Sequence, residues 1–258
     1  MGKPGRRQGR CIFCQAEGKL TKEDATPRWL SRILNRQWPP ERRWELDVIQ
    51  FGGDRQYSKD TRVVGGASVH KPIVACASCN NGWMSALEQS VRPILQPLIL
   101  GESRRLSQSD SEILATWATK TALVYEFVYT HREGTTVSAT DRKRFADDRA
   151  PLPESRIWLG RYVGTAGPAI IRRNTLFLYN LDDSAPSPEP SAVTMTFVFG
   201  QVFIRLGLFR SNPTYPASYS VVEGPHMQLL WPSARELDWP PLEVVDDTTL
   251  PLFSAMQR

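Results

Sequence analysis

The hydrophobic positions change period along the chain. Trp29, Leu30, Ile33 and Leu34 recur at helical spacing, while Arg28, Arg32 and Arg36 repeat every four residues on another face of the same helix. Thr26-Pro27 ahead of them predicts the start, with Thr26 as N-cap and Pro27 at the first helical position, and Pro39-Pro40 predicts the end. Met84, Leu87, Val91, Ile94 and Leu95 form a second helical stripe, in which Pro93 predicts a kink or a boundary. Ser109 and Glu112 have capping-box spacing and predict a long apolar helix through Ile113, Leu114, Trp117, Ala118, Ala122, Leu123 and Phe127. Core packing accounts for its aromatics. From about residue 156 the period becomes two, and strands are predicted over 157–163, 169–180, 192–199, 201–209 and 227–231. A proline-bearing loop is expected at 182–191. Shorter strands are expected at 44–51 and 61–64, with Gly52-Gly53 and Gly65-Gly66 as turn marks.

Two short segments stand outside this periodicity and hold all four cysteines, as Cys11/Cys14 and Cys76/Cys79. A Cys-x-x-Cys turn sets two thiolates on one side of a knuckle, and two knuckles supply the four soft ligands of a tetrahedral zinc site. The alternatives are a disulfide or free thiols. Neither accounts for two pairs with one spacing, and no βαβ pattern surrounds either pair to suggest a thioredoxin-like site. A closed four-cysteine site leaves no position for a substrate, so the metal is expected to be structural. It would tie the start of the chain to a distant segment. A short β-hairpin is expected around the first knuckle.

Charge adds a candidate partner. Residues 1–100 carry 16 Lys/Arg against 9 Asp/Glu, a net of +7, whereas the remaining residues hold 16 against 18. A basic half suits a polyanion, with a solvated surface as the plain alternative. The basic stretch over residues 1–10 reads as a flexible arm. No apolar core follows it, so it does not read as a secretory signal, and no apolar run reaches the length of a membrane span. Reduced thiols fit the cytoplasm.

Between the knuckles lies Leu20-Thr21-Lys22-Glu23-Asp24-Ala25-Thr26-Pro27-Arg28-Trp29-Leu30, and the second knuckle continues as Cys79-Asn80-Asn81-Gly82-Trp83-Met84. Together these resemble the HNH, or His-Me finger, nucleases of the zinc-knuckle type, over about residues 11–95. The resemblance implies a ββα-metal core that holds one divalent ion against a scissile phosphate. It puts Glu23 at the acidic metal-binding position and Asn80 at the helix position. Asp24 stands where the family has its general-base His, and no Asn occurs near His70-Lys71, where the family's central Asn would fall. Glu23, Asp24 and Asn80 are thus the expected ligands of Mg²⁺ or Mn²⁺. Asp24 and His70 are the candidates for activating water. Asp24 has the alternative of capping the following helix or serving a turn. Glu88 shares a face with Asn80, two turns along. Arg28, Arg32 and Arg36 are the expected phosphate track, and Trp83 is expected to pack on the knuckle.

The expected fold is α+β: a basic arm at 1–10, a zinc-knuckle ββα core at 11–100, and a helix with an antiparallel sheet at 101–258. The leading expectation is a metal-dependent endonuclease acting on DNA. The alternatives are a zinc-stabilised nucleic-acid-binding protein without catalysis and an interaction module whose β-rich half takes a protein or small ligand.

Overall fold

The computed structural model describes residues 7–38, 44–52, 56–64, 71–128, 135–165, 169–176, 192–209, 225–233 and 235–254. His70, Gly65-Gly66 and the loop at 182–191 lie outside them. The architecture is mixed α+β.

Strand β1 (Arg7–Arg10) pairs antiparallel with β2 (Glu17–Lys22), and β5 (Ile73–Cys76) adds to the other edge of β2. Part of the expected flexible arm is therefore strand, pinned where Arg10 pairs with Glu17 at 2.8 Å. Helix α1 (Arg28–Gln37) follows the hairpin and buries Leu30 and Leu34. Its arginines 28, 32 and 36 are exposed, as the four-residue repeat requires. The expected cap is corrected. Pro27 occupies the N-cap position, no side chain caps the helix, and the Thr26 hydroxyl lies 2.7 Å from the Tyr125 hydroxyl instead. Burial decides this, because Thr26 is nearly inaccessible and its hydroxyl needs an interior partner.

After β5 the chain enters a short helix α2 (Ala77–Cys79), a π-helical turn over Asn80–Met84, and α3 (Ser85–Ile99). Pro93 does not end α3, which also contains Pro97. Proline costs about 3 kcal/mol inside a helix. Val91, Ile94, Leu95, Leu98 and Ile99 are all buried here, and at about 1.5–3 kcal/mol each their burial outweighs that cost. The Pro93 carbonyl accepts from Arg104 Nη1 at 2.8 Å.

The larger layer is a seven-stranded sheet in the order β11-β7-β10-β9-β8-β3-β4. Its strands are β3 (Trp44–Gly52), β4 (Gln56–Val64), β7 (Arg156–Arg161), β8 (Ala169–Leu176), β9 (Ala192–Phe199), β10 (Val202–Phe209) and β11 (Met227–Trp231). Every pairing is antiparallel except β3 with β8. The β3–β4 hairpin comes from the loop between the two knuckles. Helix α4 (Gln108–Tyr125) packs Trp117 on Phe199, with ring centroids 6.1 Å apart, and Tyr125 on Phe197 at 5.8 Å. Its capping box is Ser107 with Asp110, not Ser109 with Glu112: Asp110 N donates to Ser107 Oγ, and Ser107 N to Asp110 Oδ2, both at 3.1 Å. Short strands β6 (Arg104–Leu106) and β12 (Leu237–Trp239) pair beside it, and α5 (Ala139–Asp148) was not expected from the periodicity.

The sheet and the cysteine-bearing core meet at Gly200, in the turn between β9 and β10. Gly200 has φ +58°, and a Cβ there would stand 2.7 Å from the Ile99 carbonyl at the end of α3. Gln201 N donates to that carbonyl at 3.1 Å. Glycine is needed both for the left-handed backbone and for the close approach.

The Thr26–Tyr125 bond joins the two halves in a similar way. Thr26→Val and Tyr125→Phe should each destabilise the protein by about 1 kcal/mol, with the double variant less than additive. A urea-unfolding double-mutant cycle reads this directly, and strict additivity would remove the coupling.

Candidate metal centre and the adjoining cleft

The knuckles form from local hydrogen bonding. Gln15 N donates to the Cys11 carbonyl at 3.0 Å, and the positive φ of Gln15, +62°, turns the chain so that the Ala16 carbonyl accepts from Cys11 N at 3.0 Å. Ile12 N donates to the Val74 carbonyl at 3.0 Å, which docks the first knuckle on β5. In the second knuckle Cys76 is the N-cap of α2, its sulfur accepting from Cys79 N at 3.5 Å. Cys76 N in turn donates to Cys11 Sγ at 3.4 Å, and Cys14 Sγ stands 3.7 Å from Cys76 Sγ.

All four sulfurs lie within 4.8 Å of one another. Cys11 and Cys79 are buried, and Cys14 and Cys76 are half-buried. Burial pushes the Cys79 thiol far above its ordinary range, and raises Cys14. Burial also opposes ionisation of Cys11, but backbone N–H groups of Cys76, Cys14 and Phe13 outweigh it and hold that thiol below its ordinary value. Four sulfurs converging from two knuckles, with amide donors aimed at them, fit a tetrahedral soft-metal site such as structural zinc. Trp83 packs against the cluster as expected. It meets Phe13 edge-on at 5.1 Å and Phe145 of α5 at 5.9 Å, and the Arg149 guanidinium lies 4.3 Å over its ring.

A cleft of about 330 Å³ opens beside this cluster, between the end of β2, the start of α1 and the start of α3. A register shift between Thr21 and Lys22 in the β2–β5 pairing shapes its wall. Beyond the shift Glu23 turns inward, Asp24 sits at the rim, and Asn80 Nδ2 donates to the Lys22 carbonyl at 3.1 Å and to Thr21 Oγ1 at 2.9 Å. Gly82, with ψ −113° at φ −89°, breaks the helical run just after Asn80.

Glu23, Asp24 and Asn80 therefore line one cleft, joined by Arg28 and Glu88. Asp24 does not cap α1. Its carboxylate pairs with Arg28 Nε at 2.9 Å and Lys71 Nζ at 2.7 Å. Glu23 is buried and holds Lys120 Nζ at 3.2 Å, while the same ammonium reaches Glu88 Oε1 at 2.9 Å. Lys120 is wholly buried on α4. Desolvation works against its charge, yet the two carboxylates together hold its pKa above the ordinary lysine value. Burial raises the pKa of Glu23, with Lys120 opposing and Glu88 reinforcing the rise.

Sequence reasoning missed Lys120, although a signal was present. It is the sole charged residue in the apolar run from Ile113 to Tyr125, and a lone charge on a core helix needs a buried partner. Among the described residues, the four cysteines are the one group of His, Cys, Asp or Glu side chains gathered closely enough to share a metal ion. No family model matches the chain, and no curated protein or solved structure matches it.

The shared ammonium has a consequence for stability. Glu23 has a folded-state pKa above its unfolded value, so its contribution is fully present at low pH and is lost as pH rises through the folded pKa. Lys120 limits that loss. Lys120→Met should cost about 3–5 kcal/mol at pH 8, where both carboxylates are left without their cation, and less as the pH falls, because a carboxyl with a raised pKa regains its proton first. Urea unfolding at pH 8 and in acid measures the difference, and an equal cost at both would contradict it.

Proposed function

We propose that this protein is a zinc-stabilised, HNH-like endonuclease that hydrolyses DNA phosphodiester bonds with a divalent ion. In this reading Cys11, Cys14, Cys76 and Cys79 hold zinc as a structural tie, and Glu23, Asp24 and Asn80 gather Mg²⁺ or Mn²⁺ in the cleft. One observation carries it. The end of β2 and the start of the α3 segment, far apart in sequence, meet across a single open cleft against the cysteine cluster. The ion would supply Lewis acidity at the phosphate and a more acidic bound water. Oxygen donors of this kind suit hard cations. The chain's own part is positioning. Asn80 is fixed by its two amide hydrogen bonds, and Glu23 is fixed by Lys120. The exposed arginines 28, 32 and 36 run away from the cleft rim as a track for the phosphate backbone. With Asp24 in place of an imidazole, the candidates to take a proton from water are His70 and the substrate phosphate, a bound ion would make that water more acidic, and slow turnover is expected.

A second reading, binding without hydrolysis, is favoured by the ion pairs. Glu23 is neutralised by Lys120, and Asp24 by Lys71 and Arg28, which leaves less negative charge to attract a divalent ion. No described helix is long and apolar enough to cross a membrane.

Three outcomes test these readings. Duplex DNA should bind with little sequence preference and a steep salt dependence. Reversing charge at Arg28, Arg32 and Arg36 should flatten the slope of log K against log salt by roughly 2 to 3 units. Absence of binding at low salt would remove both nucleic-acid readings. Plasmid should be nicked in Mn²⁺ and more slowly in Mg²⁺, and Glu23→Ala should abolish nicking. Asp24→His should raise the rate, and Asp24→Asn should abolish it if Asp24 is a ligand. DNA that stays bound but uncut by wild type and Asp24→His in both metals decides for binding alone.

A further inference from the structure

The four sulfurs are not equally placed. Cys11 and Cys79, one from each knuckle, are buried, at 0% and 6% exposure. Cys14 and Cys76, the other residue of each knuckle, reach solvent, and their sulfurs are 3.7 Å apart. The two accessible sulfurs thus belong to different knuckles, and each knuckle hides its other cysteine. A small oxidant arriving from solvent meets the cross-knuckle pair, not either Cys-x-x-Cys pair.

We propose that Cys14 and Cys76 form an oxidation site that hydrogen peroxide converts to a disulfide across the knuckles. One thiolate attacks the peroxide. A sulfur–oxygen bond forms, the oxygen–oxygen bond breaks, and the departing hydroxide takes a proton from water or buffer. The sulfur is now a sulfenic acid. The second thiolate attacks it, the sulfur–sulfur bond forms, the sulfur–oxygen bond breaks, and the second oxygen also leaves as hydroxide and is protonated. Two electrons have passed from the two sulfurs to the peroxide, which is reduced to water. Closing the bond brings the sulfurs from 3.7 Å to about 2.05 Å, a movement within reach of two half-buried side chains. Zinc held by the four cysteines would lose two of its ligands and be released, while the new bond keeps residues 14 and 76 joined. The hairpin and the α3 segment, which build the cleft wall, stay tied when the metal leaves. A Cys11–Cys14 or Cys76–Cys79 disulfide would instead free them from each other.

The pairing is measurable on the full chain. No Lys or Arg separates Cys11 from Cys14, or Cys76 from Cys79, so each knuckle falls in a single tryptic peptide. Zinc-loaded and metal-free protein are each treated with one equivalent of hydrogen peroxide, free thiols are blocked with N-ethylmaleimide, and a non-reducing tryptic digest is read by tandem mass spectrometry. A zinc-binding dye follows release in parallel. The expected product is one linked pair of peptides joined through Cys14 and Cys76, with Cys11 and Cys79 carrying the blocking group. One zinc should be released per link and rebound after dithiothreitol. Two unlinked peptides, each closed internally and lighter by two hydrogens, would overturn the proposal, as would sulfinic acid without any disulfide. Protein that carries no zinc, yet gives the Cys14–Cys76 link in the metal-free arm, refutes the zinc assignment while upholding the pairing.

Discussion

Four sulfurs brought within 4.8 Å hold residues 11–14 against residues 76–79, and the cleft depends on that closure. β2 leaves the first knuckle and carries Thr21, Lys22 and Glu23. The second knuckle becomes the helical segment that carries Asn80 and Glu88. The three-stranded sheet alone is too small to fix both ends of so long a loop. Ion coordination by thiolates is worth several times a typical hydrogen bond. A single metal bound there would suffice to fix the geometry of a wall that secondary structure would leave loose.

The support behind the cleft comes from elsewhere. Lys120 projects from α4, the helix that lies on the large sheet, and holds Glu23 and Glu88 together. The same helix supplies Tyr125 to Thr26, and the β9–β10 turn supplies Gln201 to the end of α3. One buried core runs through both parts. The cleft is thus lined from β2, α1 and the α3 segment and backed by α4, and its electrostatics are balanced internally: one buried ammonium for two carboxylates, and two basic side chains for Asp24. Such pairing keeps carboxylates oriented at a surface opening, and it also sets how strongly they attract a second cation.

Much of this was legible before the structure. The paired cysteine spacing pointed to the cluster, because local turn geometry fixes where a Cys-x-x-Cys unit aims its sulfurs. Strands β9 and β11 have the bounds expected from the sequence, although β9 is buried along its whole length rather than at alternate positions. What the sequence hid were contacts decided by tertiary burial. Thr26 and Ser109 looked like caps by local rules. A buried Tyr125 hydroxyl claimed the first, and helix α4 starting before Ser109 left the second inside it. Pro93 and Pro97 looked like breaks until packing outweighed their cost. Helix α5 has a mostly polar sequence with Phe145 and Ala146 buried, so its periodicity is weak, and it is held by contacts such as Phe145 on Trp83. In the cleft, the meeting of Glu23, Asp24 and Asn80 was readable from the flanking motifs, but Lys120 was not connected to them by any local pattern.

The account stands on four thiolates sharing one ion, and cobalt substitution examines that most directly. Metal-free protein is titrated with Co²⁺ under reducing, oxygen-free conditions while the visible and near-ultraviolet spectrum is followed. A tetrahedral four-thiolate site predicts intense ligand-field bands and a sulfur-to-cobalt charge-transfer band that saturate at one ion per chain, and that Zn²⁺ then bleaches. Weak bands of an octahedral, oxygen-ligated ion, or a titration with no end point, would contradict the account.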